Sequence, residues 1–231
     1  MNDGESPSAN GSEAPAAHIF LRPLGSPLTI GMSGLSIASL VDSGLNLRWI
    51  SLNQSHDVGL ILLSVPFVLQ MVACIFAYLS RDGAAGAALG VLSLTWFSMG
   101  LIEATSTPGS RSGALGLLLL VAGGVLFLSA IAVMVPKPLP GSVFALAATR
   151  FIITGIYLLG ASSGWRHASG ILGLVVLGGA AYSVLAFELE GEQHRPILPT
   201  FRRGRGRTAV LGDPWSRVDG VTGEAGVRQT T

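Results

Sequence analysis

Arg150 sits near the middle of GSVFALAATRFIITGIYLLG, the almost wholly apolar stretch Gly141–Gly160. A helix of about twenty residues rises about 30 Å, the thickness of a bilayer's hydrocarbon core. A lone guanidinium at that depth costs at least about 2.5 kcal/mol. A chain that carries one there supplies a partner or a wet cavity. Arg150 therefore lines a path for an anionic or strongly dipolar solute, or belongs to a structural ion pair, or snorkels from a tilted helix. Few other polar side chains lie inside apolar runs. Gln70 can donate and accept hydrogen bonds, which suits a passing carboxylate or amide. The same amide also serves to join two helices. Glu103 stands nearer the edge of its run than Arg150, which argues against a direct pair. Asp42 and Asn46 interrupt the far end of the first run. Whether Glu103 or Asp42 carries a proton is open at this level.

Chemistry of other kinds lacks a signature. There is no HExxH, GxSxG, Walker A or CxxC pattern and no pair of intramembrane aspartates. His56, Asp57 and His167 fall at the ends of apolar runs and read as interfacial polar groups. The single cysteine, Cys74, lies within an apolar run and fits no metal pattern. No catalytic residue, metal or cofactor is expected, and the chain does not read as an enzyme.

The elements that must hold these residues are membrane helices. Of 231 residues, 49% are hydrophobic and only 12% charged, where a soluble domain carries about 25% charged. Six spans are expected, at about Leu28–Leu47, Val58–Leu79, Ala84–Thr105, Ala114–Val135, Gly141–Gly160 and Ala168–Phe187. The first is expected to be short and tilted because of Asp42 and Asn46. PKPLPG between the fourth and fifth reads as a turn that no helix crosses. ASSGWRH reads as the loop before the sixth. Gly86 and Gly90 form a GxxxG pattern suited to a dimerising face. Met1–Ala17 has no basic segment followed by an apolar core, so no signal peptide is read there. Residues 1–25 read as a disordered tail, 26–199 as the membrane domain and 200–231 as a basic disordered tail. Arg195, Arg202, Arg203, Arg205 and Arg207 follow the last span, which places both termini in the cytoplasm. The net charge of +1 gives no case for nucleic acid. Binding of the FRRGRGR run to anionic headgroups would extend its anchoring role.

A resemblance becomes specific at Ser26-Pro27-Leu28-Thr29-Ile30-Gly31. This is similar to the start of the first span in the acetate uptake transporter family, the YaaH or succinate–acetate permease group, which has Asn-Pro-Ala-Pro-Leu-Gly there. It continues through Gln70-Met71-Val72-Ala73, Trp96, His167-Ala168-Ser169-Gly170 and Arg195-Pro196-Ile197-Leu198-Pro199. The resemblance implies an all-α protomer of six spans, commonly assembled as a hexameric ring. It implies uptake of acetate and related small carboxylates, by proton coupling or channel-like passage. The family's narrow point carries over to Leu35, Leu92 and Ala147, with Gln70 in the solute path. This chain departs from the family pattern at Ser26 and Thr29. Its narrowing is also more aliphatic, which would suit a larger acid or a different solute.

The reading is a plasma-membrane transporter or channel for a small monocarboxylate. Gln70 and Arg150 line its path, and Leu35, Leu92 and Ala147 form its constriction. The alternatives are a channel for a small neutral solute such as an amide, urea or ammonia, and a non-transporting scaffold acting through its tail. The expected partners are the carboxylate, the bilayer and further copies of the chain.

Overall fold

Prolines and caps set where the helices begin. The computed structural model describes residues 25–193, 196–204 and 207, so most of the expected tails at 1–25 and 200–231, and both Arg195 and Arg205, lie outside it. Pro27, Pro66 and Pro138 each open a helix, at positions whose N–H has no partner within the helix. The Asp82 and Ser112 side chains accept from the backbone N–H of Ala85 and Leu115, capping two more. The elements are α1 (Pro27–Asn46), a 3₁₀ turn (Leu52–Gln54), α2 (Ser55–Ser64), α3 (Pro66–Leu79), α4 (Gly83–Thr105), α5 (Gly113–Met134), α6 (Pro138–Leu158) and α7 (Ser163–Gln193). The 3₁₀ turn, α2 and α3 make one crossing, broken where Pro66 removes a backbone donor. The described residues thus form six helical segments long and apolar enough to cross a membrane, and contain no strand.

Each crossing packs against the next, and α7 closes the circle onto α1. Glycine permits two of the tightest crossings. A Cβ on Gly59 would lie 2.5 Å from the Gly100 carbonyl oxygen, and one on Gly100 would lie 2.7 Å from that of Gly59. Gly116 and Gly155 repeat this reciprocal fit between α5 and α6. Lipid supplies no hydrophobic drive between helices, so this close backbone approach contributes dispersion instead.

Four local expectations change. The Gly86–Gly90 pattern faces α3: added Cβ atoms would meet the Tyr78 ring and Cys74 Sγ, so this face is occupied within the chain. The Pro-rich segment starts a helix, because Pro138 and Pro140 fall in its first turn, where a missing N–H costs nothing. α7 runs from Ser163 to Gln193, well past the expected Ala168–Phe187 at both ends. Its polar end turns are helical but have left the apolar stretch that hydropathy detects. α1 is a full crossing, because Asp42 and Asn46 turn inward.

The end of the bundle holding the start of α1 is tied together by polar contacts. Lys137 pairs with Asp82 across two turns. Beyond α7 the chain folds back: Tyr182 Oη donates to the Pro199 carbonyl and Arg203 N–H to the Pro136 carbonyl. Arg202 pairs with Glu190, and Thr200 is buried.

Candidate functional site

Three helices of the same direction present matched stripes to the interior. On α1 the stripe is Leu35, Ser39, Asp42 and Asn46. On α4 it is Leu92, Trp96, Met99 and Glu103. On α6 it is Ala147, Arg150 and Thr154. Steps of three and four keep each set on one helical face. All of these side chains are buried except Glu103, which is half-buried. The stripes begin apolar, at Leu35, Leu92 and Ala147, and become polar toward the ends of α1, α4 and α6.

Arg150 is only 2% exposed and pairs with Asp42, itself 5% exposed. Asn46 Nδ2 donates to the same Asp42 oxygen at 3.0 Å, from one turn further along α1. Arg150 Nη1 reaches Ser39 Oγ at 3.5 Å. Its guanidinium carbon lies 5.8 Å from the centre of the Trp96 ring, a cation–π separation. The Trp96 ring in turn meets Phe151 edge-on at 5.3 Å. The cation is thus held by an opposite charge, a hydroxyl and an aromatic face. Each raises the cost of moving it.

α7 closes over this pair at Gly173. A Cβ there would lie 2.7 Å from Arg150 Cζ and 2.8 Å from Arg150 Nε, and closer still to Ser43 Oγ. Arg150 Nε and Ser43 Oγ are buried and have no hydrogen-bond partner among the described residues. One turn away, Thr154 and Ser169 hydroxyls share a 2.6 Å hydrogen bond between α6 and α7.

On its other side Asp42 borders a cavity of about 40 Å³, with Asn46, Glu103, Thr154, Tyr157 and Arg166 among its walls. A water takes up about 30 Å³ in the liquid, so that volume holds about one. The cavity is lined by both signs of charge, with Arg166 and Arg111 each stacked on Tyr157, 5.9 and 4.4 Å from its ring centre. Asp42 thus both lines this cavity and pairs with Arg150, which does not line it.

Gln70 is elsewhere. It is fully buried on α3 and donates to the Gly31 carbonyl at 3.2 Å, one turn before Leu35 on α1. Its Oε1 has no partner among the described residues. Gln70 and Arg150 thus flank the Leu35 level from opposite sides, rather than meeting at one point. Ser26 precedes α1, Pro27 starts it, and Gly31 packs against Leu89 and Ala73.

Glu103 is not Arg150's ion-pair partner; Asp42 is. Sequence reasoning did not find that pair, nor Ser43, Thr154 and Arg166 around it. The available signal was periodicity: Asp42 falls seven residues after Leu35, and Thr154 seven after Ala147, on the faces already singled out. The residues that could do chemistry here hold and exchange charge. Among the described residues no cluster could hold a metal ion.

No family model matches the chain, and no curated protein sequence does. Among solved structures, that of the bacterial acetate channel SatP is similar. The two share 16% identity at a TM-score of 0.68, over 77% of this chain and 99% of the channel. A likeness at that identity is one of backbone architecture, so this chain has the six-helix fold of that bacterial acetate channel.

Proposed function

We propose that the chain is a multi-pass membrane transporter or channel for acetate or a related small monocarboxylate, a divergent member of the acetate uptake transporter family. The observation that carries this reading is the stripe arrangement. An apolar level at Leu35, Leu92 and Ala147 is followed within two turns by a buried guanidinium, in a fold shared with an acetate channel. Leu35, Leu92 and Ala147 strip water from a solute and reject hydrated ions. Arg150 offsets part of the hydration that a carboxylate loses there. Gln70 offers an amide on the opposite side of the apolar level. An acid that crosses with a proton carries no net charge past that level, so coupling to protons lowers the barrier.

In this reading residues 26–199 form the transport domain, flanked by tails at 1–25 and 200–231. The protomers assemble into a ring, with six copies by resemblance. The basic residues after α7 hold both termini on the cytoplasmic side of the plasma membrane.

Radiolabelled acetate uptake into proteoliposomes tests the reading, with an inward proton gradient and a collapsed-gradient control. Gradient-stimulated uptake identifies a proton-linked carrier, and uptake without the gradient a channel. Narrowing the apolar level by Ala147→Phe is expected to abolish either. Folded protein that takes up no acetate overturns the proposal.

A further inference from the structure

We propose that Asp42 is a tethered competitor for the transported carboxylate: it occupies Arg150 when no solute is present and must be displaced for the solute to pass. This rests on the carboxylate-transport reading above. It adds that the ion pair is a specificity device, not only the neutralisation of a buried charge.

Three observations converge on it. Asp42 offers Arg150 the same chemical group as the solute, a carboxylate, and the pair is almost entirely shielded from water. Asp42 also lines the 40 Å³ cavity, whereas Arg150 does not. A solute arriving there meets the aspartate before the cation. Finally, Arg150 Nε and the neighbouring Ser43 hydroxyl have no hydrogen-bond partner among the described residues, at the point where Gly173, on which a Cβ would clash with both, lets α7 pack directly against them. A guanidinium presents five N–H donors in a fixed fork. Arg150 thus retains donor capacity beyond what Asp42 takes up.

Asn46 has a defined part in this. Its amide donates to the Asp42 oxygen that also pairs with Arg150. It therefore fixes the aspartate in its seated position and is a positioning residue. The half-saturating acetate concentration reports how often the competitor is seated. If Asp42 occupies Arg150 about nine-tenths of the time, it raises that concentration about tenfold.

The exchange favours monocarboxylates for a physical reason. A small carboxylate restores the charge balance Asp42 supplied, and the displaced Asp42 finds Arg166 on the same cavity wall. A neutral solute leaves Arg150 paired and gains nothing from displacing Asp42. A dianion's second charge competes with the displaced Asp42 for Arg166, the buried cation at this cavity.

The test measures acetate uptake against concentration in proteoliposomes of wild type, Asp42→Asn, Asn46→Ala and the double variant Asp42→Asn/Arg150→Gln. Asp42→Asn is expected to lower the half-saturating concentration about tenfold. It should also admit inorganic anions such as nitrate, because the tethered carboxylate no longer screens the site. The double variant is expected to lose saturable uptake. Asn46→Ala leaves every charge in place and removes one amide, so it tests the inference even where Asp42→Asn fails to fold. It is expected to lower half-saturation about threefold, the shift for a competitor seated about two-thirds of the time. Half-saturation unchanged or raised in Asn46→Ala and in any folded Asp42→Asn overturns the inference and leaves the transport reading standing. No saturable acetate uptake in wild type overturns both.

Discussion

Two buried polar groups, one on each side of Leu35 along α1, solve the same problem at different cost. On one side a neutral amide, Gln70, joins α3 to α1 through one hydrogen bond, and its oxygen has no partner among the described residues. On the other a full ion pair joins α6 to α1, with Asn46, Ser39 and Trp96 around it. A buried amide needs one partner to be tolerated. A buried guanidinium needs an opposite charge and further contacts to offset its lost hydration. The bundle is therefore built more elaborately where the charge sits. The amide side is a hydrogen-bonded helix contact. The charged side is an ion pair, and under the proposal above a transported carboxylate takes the internal one's place on the cation.

The largest expected effect tests that asymmetry. Arg150→Ala leaves Asp42 buried without its counter-charge, a loss of about 3–5 kcal/mol for removing one partner of such a pair. Asp42→Asn/Arg150→Gln removes both charges and keeps groups that can hydrogen-bond. It is expected to recover most of that loss. Thermal unfolding in detergent followed by circular dichroism compares the three proteins. A single variant as stable as the double one would mean that the pair is not what holds α1 to α6.

Next in size is Gly173→Ala. The added methyl lands on the Arg150 guanidinium and the Ser43 hydroxyl, and overpacking of this kind costs about 1–3 kcal/mol. Gly178, five residues on along α7, has open space where a Cβ would go. Gly178→Ala is expected to be neutral or to gain up to about 1 kcal/mol through helix propensity. Equal unfolding temperatures for the two variants would break the argument that α7 is fitted to the ion pair.

The legible part of this protein in its sequence was what lipid dictates. Spans as apolar as Ala114–Val135 declare themselves, and the structure places that helix at Gly113–Met134. Arg150 stood out for the same reason, as a cost needing an explanation. Its partner was harder to find because depth along a helix is an unreliable guide when one side chain is long. Asp42 lies four residues before the end of α1 and Arg150 eight before the end of α6. Their backbones therefore differ by about 6 Å in distance to their helix ends, which an arginine side chain spans. Depth does argue rightly against Glu103, near the end of α4, which is not the partner. The polar ends of α7 carry no hydropathy signal, although their backbone is helical. The fit of Gly173 against Arg150 depends on how α7 meets α6, which no local pattern encodes.

The smallest expected effect lies on the amide side. Gln70→Leu removes one interhelical hydrogen bond, and such bonds in membrane bundles average about 0.6 kcal/mol. The substitution also removes the buried Oε1, which offsets part of that loss. Unfolding temperature is therefore expected to move little, far less than for Arg150→Ala. Uptake separates the two roles open to Gln70. As helix glue alone, its loss leaves acetate half-saturation where it was. As a group that meets the solute before the apolar level, its loss raises half-saturation with stability nearly unchanged, because an apolar side chain offers the carboxylate nothing in exchange for water. The comparison sharpens further if Asp42→Asn tightens apparent binding while Gln70→Leu weakens it. The two sides of the apolar level would then act in opposite senses, one a competitor for the solute's site and the other a contact of the solute itself.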